Sequence, residues 1–64
     1  MDSQIFNHFK QNDLISDLNS LQLKKFRHAC RKAVVENPEL EFNELCIAVK
    51  VYLNFIREYP DLNL

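Results

Sequence analysis

Histidine, cysteine and carboxylate side chains are the groups with which a 64-residue chain would do chemistry, and here there are two His, two Cys and nine Asp or Glu. His28 and Cys30 stand two residues apart, which sets them on different faces of a helix and denies them a shared ion. A site that draws Cys30, Cys46 and a histidine from separate segments has no local spacing to support it. Asp13 and Asp17 lie four apart and read as one solvated helix edge, not as an acid and base pair. Glycine is absent, so a phosphate-cradling loop loses its usual residue. A pocket of ≈ 300–1,000 Å³, the size that small-molecule sites use, is hard to build inside so small a domain. These residues predict a protein that is not an enzyme and has no cofactor, no metal and no small-molecule substrate.

The denser chemistry is electrostatic. Residues 20–35 carry five Lys or Arg and no acid, whereas residues 1–19 have a net charge of −2 and residues 36–64 a net charge of −4. Within KKFRHACRK, the side chains of Lys24, Lys25, His28, Arg31 and Lys32 fall opposite an apolar helical stripe, with Arg27 at its flank. Such a face suits an anionic protein surface or nucleic-acid phosphates; its bland alternative is a solvated helix face. The overall net charge of −1 and pI of about 6.0 weigh against nucleic acid, whose affinity comes mainly from phosphate neutralisation. A helix-turn-helix that used the following helix for recognition is also disfavoured, because Glu41 and Glu44 at its start would repel phosphate. Any nucleic-acid contact belongs to residues 20–36, in a dimer with both basic helices on one side.

Residues 45–56, LCIAVKVYLNFI, are interrupted only by Lys50 and Asn54. At about 100° per residue, Leu45, Ala48, Val49, Tyr52, Phe55, Ile56 and Tyr59 cluster, and Phe42, Cys46 and Leu53 widen the arc to roughly 220°, about twice the stripe of an ordinary surface helix. Such a helix needs cover from two directions, and in a short chain some of that cover comes from another molecule. Ile47 and Val51 extend the contact patch, and Tyr52 and Tyr59, each an apolar body with a wet hydroxyl, suit an interface. Ile47, Val51, Tyr52, Phe55 and Tyr59 are therefore the candidate oligomer or partner interface. The core is the default place for the aromatic residues as a set.

Three helical segments must position these groups. The first covers about residues 3–18, with Asp2 or Ser3 as cap and a break near residue 12, where Asn12 or Asp13 would cap a second short turn. The second covers 20–36: Leu18, Asn19, Gln22 and Leu23 supply a capping box and a hydrophobic staple, and Leu23, Phe26, Cys30, Ala33 and Val34 form its apolar face. Asn37-Pro38 ends it, since the residue before proline avoids the α region. The third covers 42–58, with Glu39, Glu41 and Glu44 at its N-terminus, where negative charge is favoured, and Pro60 at its end. Residues 61–64 form a tail.

The composition, 47% hydrophobic and 27% charged, is that of a folded globular chain. No apolar run reaches the ~18 residues of a membrane span. Met1-Asp2-Ser3-Gln4 does not begin a secretory signal, so a cytoplasmic setting with both thiols reduced is expected. The fold class expected is all-α: one domain over residues 1–64, a three-helix unit in which 20–36 and 42–58 pair as an antiparallel hairpin, with a homodimeric bundle as one option. Ile5, Phe6, Phe9, Leu14, Ile15 and Leu18 would pack across the hairpin. The function expected is a small interaction module or regulator that binds a partner protein; the alternatives are a dimeric nucleic-acid-binding regulator and a self-associating structural or assembly subunit.

Overall fold

The computed structural model describes residues 1–61, and of the expected tail residues 62–64 lie outside the described residues. It has three helices: α1 (Asp2–Gln11), α2 (Ser20–Glu36) and α3 (Phe42–Glu58). There is no strand among the described residues. The helices pack into a body of 30 × 24 × 15 Å. The most extensive contact is between α2 and α3; α1 lies mainly on α2 and touches α3 least. No helix of the described residues is long and apolar enough to cross a membrane.

Local chemistry sets the ends of α2 and α3. Asn19 Oδ1 accepts from the Gln22 backbone N–H at 2.8 Å, and Gln22 Oε1 accepts from the Asn19 N–H at 2.9 Å. This reciprocal pair satisfies two otherwise orphaned donors, a contribution of about 1 kcal/mol. Asn37 Nδ2 closes the other end by donating to the Ala33 carbonyl at 3.0 Å. Glu41 and Glu44 form a second capping box at the start of α3. Glu44 Oε1 accepts from the Glu41 N–H at 3.1 Å, so that carboxylate is a specific acceptor as well as a favourable charge at the helix dipole.

The first helix departs from its periodicity. It begins at Asp2, with Met1 as N-cap and no side-chain cap bond, so neither Asp2 nor Ser3 caps it. It stops at Gln11, and residues 12–17 are turns and bends in place of a second helical piece. Two local devices end it. Asn12 Nδ2 donates to the His8 carbonyl at 2.7 Å, and Asp13 adopts φ 59°, the left-handed region that a short polar side chain tolerates. The reversal buries Ile15 and Leu18 but leaves Leu14 largely exposed, which corrects the placement of Leu14 in the core. It also removes Asp13 and Asp17 from any common helix face.

Phe26 is the centre of the core. It is fully buried, with the Phe6 ring 5.9 Å and the Phe9 ring 5.2 Å from it, centroid to centroid. Ile5, Cys30, Ala33, Leu45, Val49, Leu53 and Ile56 complete the cluster. Ala29, absent from the apolar face read in the sequence, is buried as well. On α3 the buried residues are Leu45, Val49, Leu53 and Ile56, so the described residues cover only one side of the wide apolar arc.

Candidate functional site

Two surfaces of the described residues bear on function. The first is a groove of about 680 Å³ between residues 10–18 and the N-terminal half of α2. Its floor is apolar, from Phe6, Ile15, Leu18 and Leu23, and its rim is polar, from Lys10, Asp13, Ser16, Ser20, Lys24 and Arg27. Three cations and one carboxylate thus line it. Among the described residues none of the three cations has an ion-pair partner. The Arg27 guanidinium lies over the Phe6 ring, 4.3 Å from its centroid, a cation–π contact that holds the head group at the rim. The groove falls in the size range of ligand sites, larger than so small a domain was expected to form, because it is a surface cleft left by the reversal at Asp13 and not an internal cavity.

One wall of the groove is irregular backbone held by a side chain of α3. Arg57 donates from Nε to Asp17 Oδ2 at 3.0 Å and from Nη2 to Asp17 Oδ1 at 2.9 Å. Its Nη2 also donates to the Leu14 carbonyl at 2.6 Å. The hydrogen bonds from Arg57 hold the Asp17 carboxyl below its usual value of 3.8. Asp17 is thus a structural anion, not half of an acid and base pair.

The cationic residues nominated on α2 divide into three groups. Lys24 and Arg27 line the groove. His28 and Arg31 are exposed on the outer face, while Lys25 and Lys32 are half-buried along its other flank. Lys25 Nζ donates to the Pro60 carbonyl. The face is therefore less uniform than its charges imply: Leu21 and Val35 are exposed and share its helical sector with Lys24, His28 and Arg31. Sequence reasoning passed over both, although the spacing of 21, 28 and 35 is a clean heptad step. It also passed over Lys10, Ser16 and Ser20; Lys10 is a single cation in an acidic segment, and only the reversal of the chain brings it to the groove.

The second surface is on α3. Ile47, Val51, Phe55 and Tyr59 are 68%, 53%, 44% and 54% exposed. Ile47, Val51 and Phe55 recur every four residues along the helix and Tyr59, its C-cap, continues the row, with Tyr52 half-buried beside it. The Phe55 and Tyr59 rings are adjacent, 6.0 Å between centroids. These two aromatics, which belong to the arc expected to form the core, lie on its open side.

The thiols do not join either surface. Cys30 is buried and Cys46 half-buried, and both are free. Burial pushes Cys30 up to about 12, with the nearby Asp2 carboxylate adding to the effect, and burial raises Cys46 too. Neither is an activated nucleophile, since reactive cysteines have lowered values. His8 packs edge-on against Phe9 and Phe42. Among the described residues no three His, Cys, Asp or Glu side chains come together as a metal-binding group.

No family model matches the chain, and no curated protein or solved structure was found to match it. The functional reading rests on the geometry.

Proposed function

We propose that this chain is a non-catalytic protein-interaction module that captures an acidic segment of a partner protein in the groove between residues 10–18 and α2. The observation that carries the reading is the cleft's composition: an apolar lining of Ile15, Leu18 and Leu23 with three cations, Lys10, Lys24 and Arg27, against one acid, Asp13. One large apolar side chain of the partner fills the floor, and neighbouring carboxylates meet the rim. Apolar anchorage with charge-assisted hydrogen bonds around it is how small interfaces gain specificity.

The helical hairpin belongs to the same reading. We take α2 and α3 to run antiparallel, which the contact from Lys25 near the start of α2 to Pro60 beyond the end of α3 supports. Nucleic acid is the weaker alternative. Leu21 and Val35 interrupt the cationic face, and two of its five Lys or Arg side chains, Lys25 and Lys32, are half-buried.

The test is an anisotropy titration with a fluorescent peptide in which one Leu is flanked by Asp and Glu. Saturable binding on the order of 10–100 μM is expected, typical of a small contact. It should fall about tenfold or more in Lys10→Glu/Lys24→Glu, and fall as well when Ser replaces the peptide's Leu. Equal affinity across these forms, or a single-stranded oligonucleotide that competes more tightly than the peptide, would overturn the reading.

A further inference from the structure

We infer that the exposed row on α3 is covered by α3 of a second copy of this chain, the two helices running antiparallel about a two-fold axis midway between Val51 and Phe55. The row itself is self-matching under that operation. With the axis midway between Val51 and Phe55, Ile47 of each copy faces Tyr59 of the other, and Val51 faces Phe55, so large apolar groups meet large apolar groups throughout. All four are about half exposed or more in the single chain.

The choice of a second copy, and of its direction, comes from charge. Lys50, Asn54 and Glu58 also recur every four residues and run as a polar row along one edge of the apolar one; all three are exposed. Read along the helix, that edge is positive, neutral, negative. An antiparallel partner presents the same edge in reverse order, so Lys50 meets Glu58 at each end and Asn54 meets Asn54 near the axis. A parallel pair would instead set this edge against the partner's other edge, that of Ala48 and Tyr52, and bring Lys50 and Glu58 to no opposite charge. Same-edge pairing of this kind is how flanking charges fix partner and direction in paired helices. A two-fold contact is closed and stops at the dimer. The row spans about 18 Å of helix at 1.5 Å per residue. Alone it falls short of the ≈ 800 Å² per partner of a standard interface, which makes the pairing a concentration-dependent one.

This contact lies on α3, away from the groove of the proposed function, and either can fail without the other. The experiment is sedimentation equilibrium of the full chain and of three variants from ~10 μM to ~1 mM, a range suited to a weak interface, with circular dichroism confirming that each variant keeps its helices. The expected result is a monomer–dimer equilibrium in the wild type. Val51→Glu abolishes the dimer, Lys50→Glu weakens it about tenfold, and Lys50→Glu combined with Glu58→Lys restores it, because the reversed edge is again complementary. A wild type that stays monomeric throughout would overturn the inference. So would an assembly that grows beyond two copies, one indifferent to either single substitution, or a double swap that fails to restore pairing.

Discussion

Arg57 grips Asp17 through two parallel hydrogen bonds, at 3.0 Å and 2.9 Å, and the same guanidinium holds the Leu14 carbonyl. Residues forty positions apart are thereby joined, and the last turn of α3 fixes the irregular segment that walls the groove. Both side chains are substantially exposed, so the pair matters less for global stability than for the shape of residues 12–18.

Arg57→Lys keeps the charge and loses the two-pronged geometry, since a lysine ammonium is a point donor. All three helices should persist, with an unchanged circular dichroism spectrum. Amide exchange at residues 14–18 should accelerate, and affinity for the acidic peptide should fall about fivefold, because the guanidinium fork is what orders this wall.

The same pair predicts an acid transition confined to one segment. The folded carboxyl of Asp17 lies below its ordinary 3.8, chiefly through the Arg57 hydrogen bonds. A depressed folded value contributes stability above the unfolded value and loses it as pH falls through the folded one. Amide shifts of residues 14–18 should therefore hold steady above about pH 4 and move below it, and Asp17→Asn should remove that transition.

Phe26→Ala removes the ring on which Phe6 and Phe9 both pack. Deletion of a buried phenylalanine costs about 3–5 kcal/mol, and a core of this size supplies only about 3–5 kcal/mol in all. The variant should be largely unfolded at 25 °C, as read by circular dichroism and a urea titration that lacks a native baseline.

The thiols give a fourth prediction. Cys30 is buried and held up at about 12, against an ordinary value of 9.0. A raised folded value means that stability is intact below about pH 9 and declines as pH climbs from there toward 12, because the unfolded thiol ionises first. Urea midpoints should fall over that window, and the decline should be smaller in Cys30→Ala, which lacks the group. At neutral pH an alkylating reagent should label Cys46 slowly and Cys30 only after unfolding.

The α2 and α3 boundaries were legible because their stop and start signals are local. Asn19 with Gln22, and Asn37 before Pro38, act within one turn of the helix they end. The path of residues 12–18 was not legible. Its apolar spacing at Leu14, Ile15 and Leu18 fits a helix, and the reversal is decided by Asp13 in a left-handed conformation and by Arg57, forty residues ahead of Asp17. Half of the groove was legible for the same reason: Lys24 and Arg27 sit on a regular helix, whereas Lys10 and Ser16 arrive there through the reversal. On α3, periodicity identified an apolar arc too wide for one neighbour, and of the interface candidates read from it Ile47, Val51, Phe55 and Tyr59 are exposed and Tyr52 is half-buried. Leu45, Val49, Leu53 and Ile56 went inward, and Phe55 and Tyr59 remained at the surface.

Shift mapping of the isotope-labelled chain with the acidic, leucine-bearing peptide tests the central claim most directly. Capture in the groove predicts saturable movement of the Ile15, Ser16, Ser20, Leu23 and Lys24 amides, with the Ile47–Tyr59 row unmoved. Resonances that stay still at saturating peptide, or that move only on the outer faces of α2 and α3, would contradict it.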